Sequence, residues 1–250
     1  MFTIGPFTLL EPIGRGGMCE VWKGRHTEKQ IDVAIKIILE ENAKSSRFIS
    51  SFRNEVRAVA GLHHPGIVMV FDYGQIPKET EEQSEGKLLA NSPYLIMELA
   101  NGTLKPFCGR LPWSHLKPIL IATLDALAHA HAKGVIHRDI KPVNILLSDQ
   151  KPYIKITDFG IFHAFQSNEI VEEGQTPLGT PSYMAPEQLL GKWRDFGPWT
   201  DLYAFGCTVF ELLSGKTPYG EAGTFHSIMF SHMEKPIPRL QSTLPIPDGD

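Results

Sequence analysis

Three side chains between residues 139 and 158 are of types that handle charged oxygen. In VIHRDIKPVNILLSDQ, residues 135–150, Asp139 and Asn144 stand five positions apart between apolar, strand-like pieces, and Asp158 follows fourteen positions beyond Asn144 in KITDFG. Amide and carboxylate oxygens are the hard ligands that Mg2+ prefers, and magnesium keeps nucleotide phosphates and water as its other partners. That leaves Asp139 to orient a hydroxyl nucleophile and accept its proton. A polar loop capping itself through Asx turns would account for one such residue, not for the whole set. The charges of this segment are therefore expected to face an active-site cleft.

Two upstream segments suit the same chemistry. IGRGGMCEV, residues 13–21, lies between strand-like stretches, and glycines at 14, 16 and 17 would let backbone N–H groups approach a phosphate with no side chain in the way. Alone, it reads first as a turn. Lys36 in VAIK sits on a strand whose alternation points it the same way as Ala34. Strand lysines are mostly solvated edge charges. Glu55, nineteen residues on in a helical segment, offers an ion-pair partner that would leave the ammonium aimed at phosphate oxygens.

The elements that must position these groups change character along the chain. Strands are predicted at Phe7 to Ile13, Val21 to Arg25, Val33 to Ile38, Ile67 to Tyr73 and Tyr94 to Glu98, where β-branched and aromatic residues lie between turn signals. One helix interrupts them, with Phe48, Phe52, Val56, Val59 and Ala60 at three- and four-residue spacing and Gly61 as a stop. Residues 76–92, IPKETEEQSEGKLLANS, are acid-rich and without period, and read as an exposed, mobile insert. After Gly102 helices dominate. One carries Leu116, Ile119, Leu120, Leu124 and Leu127 on a face and stops at Gly134; another, TDLYAFGCTVFELLSG, is expected to be capped by Thr200 and closed by Gly215. A strand-rich half and a helix-rich half predict two lobes with a cleft between them.

Composition sets the outer limits. The 250 residues, 42% apolar and 21% charged, are enough for a substantial core and argue against disorder. A net charge of -4 gives no reason to expect attraction to nucleic acid or an anionic membrane. Three scattered cysteines, Cys19, Cys108 and Cys207, make neither a disulfide framework nor a zinc site and point to a reducing compartment. Apolar stretches break well before membrane-spanning length and no signal peptide is recognisable, so a cytoplasmic location is expected.

Taken together and in order, GRGGMCEV, VAIK, Glu55, HRDIKPVN, DFG, GTPSYMAPE and DLYAFG resemble the motif set of a eukaryotic-type Ser/Thr protein kinase, from about residue 7 to about 235. The compact loop and GTPSYMAPEQ are most similar to bacterial members. The resemblance implies an α+β, bilobal fold: an antiparallel-sheet N-lobe with one main helix over about 1–97, a hinge at about 98–101, and a mostly helical C-lobe over about 102–250. It implies ATP and Mg2+ as cofactors, and proteins bearing Ser or Thr hydroxyls as partners, with self-association for autophosphorylation.

By the same resemblance, Gly14, Gly16 and the backbone to Cys19 cover the ATP phosphates, Ile13 and Gly17 also bind the nucleotide, and Lys36, held by Glu55, contacts the phosphates. Asn144 and Asp158 bind the metal, Asp139 is the catalytic base and Lys141 steadies the γ-phosphate. Met97 stands at the back of the adenine pocket, the backbone of Glu98, Leu99 and Ala100 bonds adenine, and Val21, Ala34 and Leu146 flank its ring. Arg138 awaits a phosphate on Thr176, with Ser167 as second candidate, while Thr180 bonds within the catalytic site. His137 joins Phe159, Val59 and Val70 in a structural spine anchored on Asp201.

The chain also departs from the family pattern. Cys19 replaces a frequent third glycine, and Val143 replaces an acidic residue common in kinases of basic substrates. The Pro-rich end EKPIPRLQSTLPIPDGD stops where the family has further helices, leaving Glu187 of APE with no partner except Arg239, so a fragment of a longer protein is the favoured reading. Two alternatives stay open. A nucleotide-binding pseudokinase or scaffold would usually have lost residues such as Lys36, Asp139 or Asp158, which are all present; a small-molecule kinase would usually lack GTPSYMAPE.

Overall fold

The computed structural model describes residues 2–16, 19–39, 46–159, 180–220 and 224–247, with the backbone alone for Ser46 and Arg47. The chain divides into two compact units, Met1–His63 with Val68–Ala100, and His64–Ile67 with Asn101–Asp250.

The first unit is a six-stranded antiparallel sheet in the order β1-β2-β3-β4-β6-β5: β1 Phe2–Ile4, β2 Phe7–Arg15, β3 Cys19–His26, β4 Asp32–Ile38, β5 Val70–Gln75 and β6 Pro93–Glu98. Strand β1, too short to announce itself in the sequence, pairs with β2 from Phe2↔Leu9 to Ile4↔Phe7. Val33, Ile35 and Ile37 of β4 are buried with Ile4, Phe7, Leu9 and Ile96. Burial of each such side chain contributes about 1.5–3 kcal/mol. Helix α1, Ser46–Ala60, buries Phe48, Phe52, Val56 and Val59, the predicted stripe, while Ala60 stays partly exposed.

Two expectations fail in this unit, each for a physical reason. Residues 76–92 are not a mobile loop. They contain a helix, α2 Lys78–Gln83, and bury Ile76 and Leu88 in the sheet's own core. The buried Thr80 hydroxyl donates to the Thr3 carbonyl at 2.6 Å, and Gln83 Oε1 accepts from the Thr3 N–H at 3.1 Å. Side-chain bonds across 77 and 80 residues order the insert, and no local period reveals them. Ile67, predicted to start β5, instead forms a parallel bridge to Ile156 and belongs to the second unit.

The second unit is helical around a two-stranded hairpin: α3 Trp113–Ala132, β7 Ile145–Leu147, β8 Ile154–Ile156, α4 Pro186–Leu189, α5 Pro198–Ser214 and α6 Phe225–Glu234. Leu104, Leu116, Leu120, Ile145, Ile154, Leu212 and Leu213 form its core. The buried stripe of α3 runs through Leu116, Leu120, Thr123 and Leu127, so Leu124, expected inside, is exposed. Helix α5 begins three residues earlier than predicted. Gly197 is its cap, and the Thr200 hydroxyl, inside the first turn, accepts from the Gly197 N–H at 3.1 Å. Gly134 and Gly215 close α3 and α5 with φ of +72° and +76°, the left-handed geometry glycine adopts at no steric cost.

Candidate active site

In the first unit the ladder register aligns the residues singled out from the sequence. Val21 pairs with Lys36, which pairs with Leu95; Ala34 pairs with Met97, which pairs with Val70. Directly opposed residues share a face, as do alternate residues of one strand, so Val21, Ala34, Lys36 and Met97 lie on one side of the sheet. Lys36 is only 2% exposed, which sets it apart from a solvated edge lysine. The Glu98 N–H donates to the Met69 carbonyl at 2.9 Å, just before the unit ends at Ala100. Glu55 is carried on α1.

The glycine-rich turn between β2 and β3 is closed by Gly16 N–H donating to the Cys19 carbonyl at 2.8 Å. A Cβ at Gly14 would meet only Val21 Cβ at 3.8 Å, and one at Gly16 only Cys19 at 3.8 Å or beyond. Neither glycine has a positive φ. Neither packing nor backbone strain among the described residues therefore demands glycine here, whereas close approach of a bulky anion would. Ile13, on the same turn, is half exposed.

In the second unit one buried carboxylate organises the loop before β7. Asp201, at the start of α5 and fully buried, accepts from the His137 N–H at 2.8 Å, the Arg138 N–H at 2.6 Å and His131 Nε2 at 2.6 Å. Two successive amides on one carboxylate fix Arg138 at a φ of +69°, and Gln188 Nε2 secures its carbonyl at 2.8 Å. A non-glycine residue there costs about 1–2 kcal/mol, which the surrounding bonds offset. His137 is also fully buried, and its partners settle its tautomer. Nε2 must donate to the Thr157 carbonyl at 2.7 Å, and Nδ1 must accept the Asp139 N–H at 3.2 Å. Its ring lies 4.5 Å from that of Phe159.

Asp139 is thereby presented with one oxygen committed. Oδ2 accepts from Lys141 Nζ at 2.8 Å and from Asn144 Nδ2 at 2.9 Å, while Asn144 Nδ2 also reaches the Asp139 carbonyl at 2.7 Å. Among the described residues Oδ1 has no hydrogen-bond partner. Lys141 Nζ also donates to the Thr180 hydroxyl at 2.9 Å, so Thr180 does bond within this cluster. With Nδ2 occupied, Asn144 keeps Oδ1 as its side-chain acceptor. The ladder bond from Thr157 N–H to the Asn144 carbonyl, 3.0 Å, sets Asp158 one residue from Asn144's neighbour, with its own φ at +67°. Hard oxygen donors brought together at the end of one hairpin fit a divalent cation.

A family model described as the protein kinase domain matches residues 7–247. The chain belongs to the protein kinase family. It is 38% identical over 245 residues to the serine/threonine-protein kinase PknA of Mycobacterium tuberculosis, covering 96% of this chain and 54% of that protein. It is 35% identical to a probable serine/threonine-protein kinase PknB of Bifidobacterium longum, over 92% of this chain and 33% of the relative, and 34% identical to Pkn1 of Myxococcus xanthus, over 96% and 38%. The chain thus spans about half, or less, of the lengths of these curated relatives.

Within this kinase domain, the sequence misjudged one partner and overlooked another cluster. Glu187 does not wait for Arg239. The Thr200 hydroxyl donates to its Oε1 at 2.6 Å, joining α4 to the first turn of α5, and Arg239 is exposed. Lys105, buried Glu211 and Tyr183 form a polar group that motif reading passed over: Lys105 Nζ lies 2.6 Å from Glu211 Oε1, and the Tyr183 hydroxyl donates to Oε2. Its signal was available in Ala204, Cys207 and Glu211, a charge at core spacing in an apolar helix. Gly17, Ser167 and Thr176 lie outside the described residues. Burial pushes the Cys207 thiol up to about 12, and burial with the nearby Glu211 charge does the same for Cys108, so both stay protonated at neutral pH. Among the described residues no helix is long and apolar enough to cross a membrane.

Proposed function

We propose that this domain transfers the γ-phosphoryl group of ATP to Ser and Thr hydroxyls of proteins, with Mg2+ as the divalent ion. The observation that carries the proposal is the Asp139 carboxylate, with Oδ2 locked by Lys141 and Asn144 and Oδ1 left to a substrate. Oδ1 accepts the hydrogen bond of the incoming hydroxyl and takes its proton as the new O–P bond forms and ADP departs. Lys141 has three N–H donors, of which Asp139 and Thr180 use two; the third is available to a γ-phosphate oxygen.

Asn144 Oδ1 and the Asp158 carboxylate would hold the Mg2+, which when bound neutralises charge on the phosphate oxygens. On the first unit we assign Gly14, Gly16, Gly17 and Cys19 to the phosphates, Lys36 supported by Glu55 to the same oxygens, and Ile13, Val21, Ala34, Met97, Glu98 and Ala100 to the nucleoside. On the second, Leu146 serves the adenine ring. Arg138, whose Nε is buried without a hydrogen-bond partner among the described residues, is the receptor for an anion such as a phosphate on Thr176, added by a second copy of the chain.

Transfer of radiolabelled γ-phosphate, with the acceptor residues read by mass spectrometry, tests the reading. Label is expected on Ser and Thr only. Asp139→Asn should lower transfer by roughly 10²- to 10⁴-fold, the scale of a general base that also orients its nucleophile. Lys36→Met should come close to abolishing it while the protein stays folded. Most of the activity surviving in either variant would sink the assignment.

A further inference from the structure

The peptide group that carries Asp139 is gripped at both of its polar ends by buried side chains. Gln188 Nε2 donates to the Arg138 carbonyl at 2.8 Å, and His137 Nδ1 accepts the Asp139 N–H at 3.2 Å. A peptide unit is planar, so holding its oxygen and its N–H fixes the plane in which the Asp139 Cα lies. His137 belongs to the loop itself, whereas Gln188 comes from α4, fifty residues away, and is only 8% exposed.

The other end of Gln188 separates two explanations for it. Its Oε1 accepts the Ala185 N–H at 3.1 Å, the bond by which the third residue of a helix closes back on its own cap. Capping uses only that oxygen. Glutamate supplies it as well as glutamine does, and adds the attraction of a carboxylate for a helix start. The Nε2 donor is what the amide alone provides, and it is spent outside the helix, on the loop that holds Asp139. Capping therefore accounts for half of this side chain. The same stretch of chain meets the loop a second time, where Lys141 Nζ donates to the Thr180 hydroxyl at 2.9 Å. Residues 138 and 141, on either side of Asp139, are thus both tied to the segment 180–188.

We propose that Gln188 is a positioning residue for phosphoryl transfer, holding the Arg138–Asp139 peptide so that Asp139 Oδ1 meets the acceptor hydroxyl. The inference rests on the kinase reading above and adds to it a residue that acts only through Asp139. Displacing a reacting group by about 1 Å costs on the order of 10²-fold in rate. None of the groups assigned to ATP lies on this peptide, so the loss falls on kcat.

The test is steady-state γ-phosphate transfer to a Ser-bearing protein that the native chain labels. Gln188→Glu keeps the cap but sets an acceptor against the Arg138 carbonyl; Gln188→Met keeps the length of the side chain and makes neither bond. Each is expected to lower kcat roughly ten- to a hundredfold, with KM for ATP within about twofold of the native value. For Gln188→Glu, the ratio of its kcat to the native kcat should also rise as the pH falls from about 8 to 6, because a protonated carboxyl regains a donor for the carbonyl. Arg138, Asp139, Glu187 and Asp201, the charged groups around this contact, are common to both proteins and cancel from the ratio. Native kcat in Gln188→Glu, a loss carried by KM, or a flat ratio overturns the proposal. If Gln188→Glu does not fold, as read by circular dichroism, Gln188→Met decides by the same split of kcat and KM; unfolding of both makes Gln188 a purely structural group and overturns it. Absence of transfer by the native chain counts against the kinase reading instead. The carboxyl-carbon NMR resonance of Asp139, identified by its loss in Asp139→Asn, then decides the positioning role: a resonance displaced in Gln188→Met supports it, and one left in place refutes it.

Discussion

Lys36 and Asp139 are held by different kinds of bond. Lys36 sits on β4, inside a continuous antiparallel ladder with β3 on one side and β6 on the other, so its place follows from backbone pairing that any strand-forming residue would sustain. Asp139 lies in irregular chain, placed by side chains from separate segments: His137 beneath it, Lys141 and Asn144 on its carboxylate, and Asp201 gathering the two preceding amides. A ladder distributes positioning over many equivalent bonds. The loop concentrates it in a few buried polar groups, so single substitutions there have larger effects.

The most direct way to break that contrast is Asp201→Ala. It removes a fully buried carboxylate, orphans the His137 and Arg138 amides and strips His131 of its partner. Removing one member of a buried charged network costs about 3–5 kcal/mol. Urea unfolding should show a loss on that scale, with phosphoryl transfer lost alongside it because the +69° φ of Arg138 is no longer held. A stability change below about 0.5 kcal/mol, the range of ordinary surface substitutions, would show that the ladder and the loop are equally tolerant.

The same contrast explains what could be read in advance. The facing of Lys36 with Ala34 follows from the two-residue period of a strand, and the α1 stripe from the helical period, because both are local. The types and order of Asp139, Asn144 and Asp158 were also legible, since the chemistry restricts which side chains can serve. What escaped were bonds between distant side chains: Thr80 to Thr3, Thr200 to Glu187, and Lys105 to Glu211 across 106 residues. The Glu187 case is instructive. A half-buried carboxylate can be satisfied by any nearby donor, so the family resemblance implied an arginine while the structure supplied a hydroxyl.

Leu88→Ala sharpens the comparison within the first unit. Leu88 is fully buried in the sheet's core, and its N–H is held by the Ser84 hydroxyl at 3.0 Å, although it belongs to the insert without period. Truncating a buried leucine costs about 2–5 kcal/mol. A loss in that range by urea or thermal unfolding means the insert is part of the sheet's structural core. A loss below about 0.5 kcal/mol would return residues 76–92 to the status of a surface loop.

The smallest effect is expected from a polar group of the second unit that, unlike those around Asp139, is incompletely matched. His232 on α6 has Nδ1 2.7 Å from the Tyr203 hydroxyl and its ring 4.8 Å from that of Tyr219, while Nε2 is buried without a hydrogen-bond partner among the described residues. Burial pushes its pKa down to about 4 from the ordinary 6.5. Burial also pushes both tyrosines up, so they remain neutral and offer no countercharge to an imidazolium. Between these two values the unfolded chain binds a proton that the folded chain refuses, so stability rises with pH across that window. The contribution is complete above about pH 6.5 and is lost as the pH falls through 4. Unfolding measured from pH 7 to 4 should therefore slope less steeply for His232→Gln than for the native chain. Identical slopes would mean that the imidazole gains its proton without leaving its site, and that α6 tolerates a charge the loop around Asp139 could not.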